Sequence, residues 1–312
     1  MDGAMTKSDM LTRSTENLRR YSMAFARRNQ GLIQFVWRSL FVWAAMLLPV
    51  QAATLPESST TLQRNLEIYY QSDYLAEQVI QLDADGEAFL ALFLEQLSDQ
   101  PQGGLLLLHD AGASADWPYL LKQLRQYLPE VGWSTLSVSL PIPYREFAEQ
   151  RAADATTYTE QSEEQWQARM MAHIGASIAE LNRRGQFNIV LVGVGEGSYW
   201  GTRYLSERLS EEEKPGYSLV LINAPLARPD LPEMIGSLDI STLDLYMLDN
   251  PAVELQAKLR KGAAARAGHS DYLQIKDAAR QGTYGKPDID RTTRRVWGWL
   301  RNHAAGDEGV LK

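Results

Sequence analysis

The 312-residue chain is long enough for one large domain or two ordinary ones, and its composition, 45% hydrophobic and 22% charged, excludes a disordered or fibrous protein. Residues 1–52 carry a net charge of +4 and the remainder −12, and so acidic a body disfavours nucleic acid as a partner. The chain has no cysteine, which excludes disulfides and thiolate chemistry. None of its four histidines are spaced as a helical metal pair, so we expect no metal site.

The N-terminal segment has the three parts of a secretory signal. An uncharged apolar run, Ser39–Val50, follows a basic flank and precedes small residues. We therefore predict that residues 1–52 are an N-terminal extension with a signal peptide, cut after Ala52, and that the protein is periplasmic or secreted from a bacterial envelope. The alternative is a retained membrane anchor, but Arg38 limits the apolar run to fewer than the roughly 20 residues that a span needs.

Two methionines, Met1 and Met23, are candidates for the start of translation. Residues 1–22 are polar and make the segment before the apolar run longer than usual. A start at Met23 instead of Met1 gives a signal of ordinary length.

After residue 60 the pattern of apolar residues predicts regular elements as far as residue 305, which we interpret as one domain. The first predicted strands are Leu66–Tyr70, Gln78–Leu82 and Ala88–Leu94, the last two joined by a hairpin turn. Further strands are predicted over Leu105–Leu108, Ser134–Leu140, Phe187–Val192, Ser218–Asn223, Leu243–Leu248 and Tyr272–Ile275. Predicted helices are Trp117–Leu128, Glu164–Arg184, Ser198–Leu209, Ala252–Ala265 and Asp290–Asn302, and Pro141–Gln161 is predicted as an insertion or mobile loop. This order predicts an α/β fold: a mostly parallel sheet with helices on both faces and an N-terminal antiparallel hairpin.

One strand–turn–helix carries a motif. The predicted strand at 187–192 runs directly into Gly193, Gly195 and Gly197, and a helix follows. This segment resembles the nucleophile elbow, Gly-x-Ser-x-Gly, of the α/β-hydrolase superfamily, with glycine in place of the serine and Glu196 next to it. More narrowly, residues 62–304 resemble an uncharacterised family of exported bacterial α/β-hydrolase-like proteins with a degenerate elbow.

The resemblance also locates the other catalytic positions. The residues after Leu105–Leu108 resemble the turn that lends an oxyanion-hole amide, except that Asp110 stands where glycine is common. Asp249 matches the triad acid, although a residue just before Pro251 is also placed to cap the next helix. The loop after the last predicted strand, residues 276–289, contains no histidine, and His303 lies in or after the final helix. His269 precedes the last strand at a helix end, where histidines often contact terminal carbonyls.

Two serines are candidates to replace the missing nucleophile of the triad. Ser114 lies in the loop after Leu105–Leu108, and Ser198 lies about one helical turn beyond Gly195. Either hydroxyl, with His109 or His269 and with Asp249, defines a relocated catalytic set. The three glycines do not make the dinucleotide motif Gly-x-Gly-x-x-Gly, because position 198 is serine, so we expect no cofactor.

Three functions follow from these residues. The first is a non-catalytic or catalytically degenerate α/β-hydrolase-fold protein that binds a small ligand or an envelope protein, and that contacts a membrane only through an uncleaved N-terminal segment. The second is an active, esterase-like hydrolase with the relocated set. The third is a carrier of acyl chains or lipids in the same pocket, for which no specific residue argues.

Overall fold

A computed structural model describes residues 65–71, 73–141, 160–247, 250–277 and 290–304. The predicted signal with its cleavage site at Ala52, the limits of the domain at 60 and 305, and Asp249 lie outside these ranges. So do residues 142–159 of the predicted loop Pro141–Gln161, whose last two residues, 160 and 161, are helical. Those expectations remain predictions, except that the N-cap of the helix that begins at Pro251 is Asn250, whose side chain accepts the N–H of Ala252, and not Asp249.

The strands form one eight-stranded sheet with the order β1-β2-β4-β3-β5-β6-β7-β8. Their bounds are β1 Val79–Ala84, β2 Glu87–Leu94, β3 Gly103–Leu108, β4 Trp133–Val138, β5 Ile189–Val194, β6 Tyr217–Ile222, β7 Thr242–Tyr246 and β8 Tyr272–Lys276. Strands β3 to β8 pair in parallel, whereas β1 and β2 form an antiparallel hairpin that joins the sheet antiparallel to β4. The predicted fold class is confirmed.

Besides the helical residues 65–71, six α-helices of the described ranges cover both faces of the sheet. They are α1 Leu120–Tyr127, α2 Glu160–Arg183, α3 Glu196–Arg208, α4 Leu231–Leu238, α5 Pro251–Ala267 and α6 Arg291–His303. The all-buried strand β3 shows how the two cores divide, because Leu106 and Leu108 pack toward α2, α3 and α4, whereas Leu105 and Leu107 pack toward α1 and α6. Continuous apolar runs in the central strands follow from this coverage on both faces.

Two predicted features of the secondary structure were wrong. Residues 65–71 are helical, not a strand. The alternation from Leu66 to Tyr70 resembled a strand, but Leu66 and Tyr70 pack inward together while Ile68 is exposed, which is the spacing of a helix. Helix α4 was not predicted, since its eight residues include a proline and a glycine.

The strand order identifies where a ligand is expected to bind, at the carboxyl ends of two central strands. Strand β3 leads to β4 on one side, and β5 leads to β6 on the other, so the chain changes direction between two neighbouring strands. In open α/β sheets ligands bind at such a point, beyond the carboxyl ends of the strands. Among the described helices, none combines the length and the apolar composition needed to cross a bilayer.

Candidate functional site

The turn between β5 and α3 keeps the geometry of a nucleophile elbow. Gly195 has φ 56° and ψ −124°, a strained backbone conformation that a side chain disfavours. A Cβ at Gly193 would lie 2.4 Å from the backbone of Ser198, and one at Gly197 would lie 2.3 Å from the carbonyl oxygen of Leu108. Both outer glycines therefore permit the close approach of α3 to the sheet.

The place of the nucleophile is occupied by another side chain. A Cβ built on Gly195 would lie 2.0 Å from Oδ1 and 2.4 Å from Oδ2 of Asp110. Gly195 is buried, whereas Asp110, in the loop after β3, is exposed. The carboxylate of Asp110 thus covers the centre of the elbow and leaves no room for a side chain at position 195.

The same carboxylate accepts hydrogen bonds from both backbone N–H groups of the expected oxyanion hole. Oδ1 of Asp110 accepts a hydrogen bond from the backbone N–H of Glu196, the residue after the elbow centre, at 2.8 Å. It accepts a second from the N–H of Ala111 in the loop after β3, also at 2.8 Å. In active α/β-hydrolases, amides at these two positions stabilise the oxyanion of the reaction. Here a resident carboxylate, at the N-terminus of α3 where negative charge is favoured, already satisfies them.

Beside Asp110 the side chain of Glu196 forms an ion pair. Arg228, in the loop between β6 and α4, donates to Oε2 of Glu196 from Nη2 at 2.7 Å and from Nε at 3.0 Å. The guanidinium also lies 4.2 Å from the ring centroid of Tyr199. The Tyr199 hydroxyl donates to Asp230 at 2.9 Å, and burial, followed by Asp230, raises the pKa of this phenol. These contacts join the elbow to the loop after β6.

His109 supports the loop and is not placed as a base. The backbone N–H of Leu140 donates to its Nε2 at 3.0 Å, so Nδ1 carries the proton and donates to the carbonyl oxygen of Asp110 at 2.7 Å. Burial lowers the pKa of His109, which favours this neutral form. Both ring nitrogens are used in holding the backbone on either side of the site.

The two candidate serines differ in their surroundings. Ser198 is fully buried; its hydroxyl donates to the carbonyl oxygen of Gly193 at 2.7 Å and accepts the N–H of Ile222 at 3.3 Å, so it connects the elbow to β6. Ser114 is partly exposed in the loop after β3. Within the described part of the chain no histidine hydrogen-bonds to either hydroxyl.

His269 lies at the opposite end of the parallel strands, beyond their amino ends. It follows the end of α5 and precedes β8, whose five residues separate it from the binding edge by about 17 Å. His303, at the end of α6, contacts Asp271 at that same distant edge. The structure therefore does not bring His269 together with Ser114, Ser198 or the elbow.

The elbow was predictable from the sequence, but the position of the Asp110 carboxylate over it was not. The sequence shows Asp110 only as an aspartate where glycine is common. No spacing rule connects it with Gly195, 85 positions later. Arg228 was missed altogether, since only the folding of β6 beside β5 brings it to Glu196. Among the described residues no group of three or more histidine, aspartate or glutamate side chains is arranged to hold a metal ion.

Comparison with solved structures identifies the fold. A dienelactone hydrolase from Anabaena variabilis is similar with a TM-score of 0.52 and 13% identity, over 72% of this chain and 97% of that chain. An esterase from Pyrococcus furiosus is similar with a TM-score of 0.52 and 12% identity, over 73% of this chain and 91% of that chain. A cold-adapted esterase from an Arctic intertidal metagenomic library has a TM-score of 0.51 and 14% identity, over 72% and 93%. At these identities the likeness shows the α/β-hydrolase fold alone.

Comparison of the sequence gives the family. No curated protein sequence matches the chain. A family model described as "Protein of unknown function (DUF3530)" matches residues 32–302, which include the elbow and all eight strands. The chain therefore belongs to the DUF3530 family, and its fold is that of the α/β-hydrolases.

Proposed function

We propose that this protein is an exported α/β-hydrolase-fold protein that does not hydrolyse esters, and that it binds a small ligand or an envelope protein at the surface around Asp110. The observation that carries the proposal is the position of the Asp110 carboxylate. It stands where the nucleophile belongs, and it accepts both amides that an oxyanion would need.

Serine-hydrolase chemistry needs three things that this site lacks in its described part. The elbow has no hydroxyl, since Gly195 has no side chain, and no imidazole is within hydrogen-bond reach of a serine. A negative group already in the oxyanion hole repels the negative charge that develops in acyl transfer. Loss of the nucleophile alone costs several orders of magnitude in rate.

The alternative of a relocated catalytic set finds no support among the described residues. Ser198 is enclosed, His109 has both nitrogens occupied, and His269 lies at the far edge of the sheet. Asp249 lies outside the described ranges. No described group of residues argues for a carrier of acyl chains or lipids either.

Export rests on the sequence of residues 1–52, with its basic flank, short apolar run and small residues before the proposed cut. N-terminal sequencing of the protein recovered from the envelope fraction tests this part. We expect a mature chain that begins at Ala53. A chain that keeps its N-terminus and sediments with membranes would indicate a retained anchor instead.

Labelling with a fluorophosphonate probe tests the absence of serine-hydrolase activity. We expect no labelling of the purified mature protein and no turnover of short-chain esters. Ser114→Ala and Ser198→Ala provide the matched controls. Labelling of the wild-type protein that disappears in one of these variants would overturn the proposal and identify the nucleophile.

A further inference from the structure

A groove lies between α2 and α3, on the face of the sheet that these two helices cover. Its volume is about 560 Å³, and pockets that hold small ligands have volumes of roughly 300–1,000 Å³. On α3 the groove begins at Arg203, which follows Glu196 by seven residues, or about 10 Å along the helix axis. The groove is therefore separate from the surface around Asp110.

The floor of the groove is narrow and made largely by small side chains. Ala168, Ala172 and Gly175 line it at positions i, i+4 and i+7 of α2, which share one face of a helix. On the α3 side, Tyr204 comes so close that a Cβ at Gly175 would lie 3.2 Å from its hydroxyl oxygen. The floor therefore suits a slender chain with small side chains.

One end of the groove is negative. It is lined by Glu164, near the start of α2, and by Asp85, in the hairpin turn between β1 and β2, and both residues are exposed. The turn lies beside this half of α2, because Glu87 at the start of β2 accepts hydrogen bonds from Arg169. Two carboxylates at this end attract a cation and repel a phosphate or another polyanion.

The other end of the groove is positive. Gly175 lies eleven residues after Glu164, about 16 Å along α2, and Tyr204 contacts it there. Arg208 lines the groove one turn beyond Tyr204 and is exposed. Burial raises the pKa of Tyr204, so its hydroxyl is a donor at neutral pH. A guanidinium and a phenol at this end suit a carboxylate.

The middle of the groove is neutral, because its cation is paired. Arg203 donates from Nε to Glu207 at 2.6 Å and from Nη1 to Gln167 at 2.9 Å. A ligand that fills the groove therefore needs a cation and an anion about 16 Å apart, joined by a slender chain. An extended peptide rises about 3.3 Å per residue, so a peptide of about five residues with free termini has this length and these charges. A fatty acid or a polyamine matches one end only.

We infer that the groove between α2 and α3 binds an extended peptide of about five small residues with free termini, its ammonium at the end formed by Asp85 and Glu164 and its carboxylate at the end formed by Tyr204 and Arg208. This inference goes beyond the proposed function and does not depend on it, because the groove does not include Asp110.

Titration of the purified mature protein with pentaalanine, followed by amide NMR, tests the inference. We expect saturable shifts of the signals of Gly175 and Tyr204, and none of the signals of Ala111 and Glu196 beside Asp110. Acetylation of the peptide's N-terminus should weaken binding about tenfold, because the ammonium loses two carboxylates. Amidation of its C-terminus should weaken binding about threefold, because the carboxylate loses one guanidinium.

Asp85→Asn combined with Glu164→Gln should weaken pentaalanine binding about tenfold. It should leave binding of the acetylated peptide unchanged, because that peptide has no ammonium. Arg208→Gln should weaken pentaalanine binding about threefold and leave binding of the amidated peptide unchanged. Glu130→Gln, just after α1, and Arg266→Gln, in the last turn of α5, remove exposed charges away from the groove and should leave binding of every peptide unchanged.

Absence of saturable binding, equal binding of the free and the blocked peptides, or unchanged binding in both charge variants would overturn the inference. Shifts confined to Ala111 and Glu196 would overturn it as well, since the peptide would then bind at the surface around Asp110. Fluorophosphonate labelling of the same samples tests the proposed function independently.

Discussion

The carboxylate of Asp110 lies over the backbone of Gly195, so close that a Cβ at position 195 would come within 2.0 Å of Oδ1. The two residues come just after two neighbouring parallel strands, Asp110 after β3 and Gly195 after β5. Glycine at the elbow centre is therefore more than the loss of a serine. It is the residue that allows a carboxylate from the next strand to occupy the nucleophile's place and the oxyanion hole together.

Asp110→Ala should lower the free energy of unfolding by about 1 kcal/mol, within the range for lost helix N-caps. Glu196 is the first residue of α3, and in this variant its N–H loses a charged acceptor. A hydrogen bond to water compensates for part of that loss. Urea unfolding measures the effect. Asp110→Asn should lose less, because its amide oxygen still accepts both N–H groups. If Asp110→Ala were as stable as the wild type, the two hydrogen bonds of Asp110 would not be made in solution.

Arg260→Ala should destabilise the protein by about 3–5 kcal/mol, since it leaves the fully buried carboxylate of Asp244 without its cation. Arg260 donates to Asp244 from Nε at 2.7 Å and from Nη2 at 3.0 Å, and the hydroxyl of Tyr272 donates to the same carboxylate at 2.5 Å. Burial, with Asp244 as the next cause, raises the pKa of Tyr272, so its hydroxyl is a donor at neutral pH.

The matched control for Arg260→Ala is Glu211→Ala, which breaks an exposed ion pair with Lys214. Exposed pairs contribute little, so Glu211→Ala should change the free energy of unfolding by less than about 0.5 kcal/mol. Both variants are measured by urea unfolding at one pH. Equal effects of the two substitutions would contradict the burial of the Asp244 pair.

The protein should lose stability as the pH falls below about 6.5, the ordinary pKa of histidine. Burial is the first cause that lowers the pKa of His109, His173 and His269 in the folded chain. The unfolded chain therefore binds more protons between the folded pKa values and about 6.5, and the free energy of unfolding rises with pH in that window. At pH 5.5 each histidine contributes at most about 1.4 kcal/mol to the loss.

His269→Gln tests whether buried histidines cause this loss of stability, because His269 lies away from the candidate site. The difference in unfolding free energy between pH 7.5 and pH 5.5 should be smaller in His269→Gln than in the wild type. The carboxylates whose pKa is lowered, Glu87, Glu180 and Glu213, contribute stability that is lost at lower pH, below their ordinary pKa, and leave this window unaffected. An identical difference in both proteins would exclude His269 as a contributor.

The sequence alone predicted the parts of the fold that depend on local pattern. Uninterrupted leucines in β3 require a strand covered on both faces, and the turn after Asp83 requires a hairpin, so both were identified. The segment from Leu66 to Tyr70 was assigned wrongly because five residues fit both periodicities, and packing of Tyr70 in the core selected the helix.

The candidate site was predictable only in part, and for a physical reason. The glycines at 193, 195 and 197 lie together in sequence, so their spacing was visible. The contact of Asp110 with the elbow depends on β3 pairing with β5 in one register, Leu108 beside Gly193, which no local pattern encodes. The contact of Arg228 with Glu196 depends in the same way on the loop after β6.

The central claim is that Asp110 and Gly195 are energetically coupled, and a double-mutant cycle measures this directly. Gly195→Ala must expel the carboxylate and lose its two hydrogen bonds, besides the cost of a positive φ. Gly112→Ala provides the control for that backbone cost, because Gly112 has φ 71° and a Cβ there meets no atom within 4 Å.

We predict that Gly195→Ala lowers the free energy of unfolding by about 1 kcal/mol more than Gly112→Ala in the wild-type background. In the Asp110→Ala background Gly195→Ala should cost about 1 kcal/mol less than in the wild-type background, which corresponds to a coupling of about 1 kcal/mol between positions 110 and 195. Strictly additive effects of Asp110→Ala and Gly195→Ala in urea unfolding would contradict the account, since the carboxylate could not then lie over the elbow.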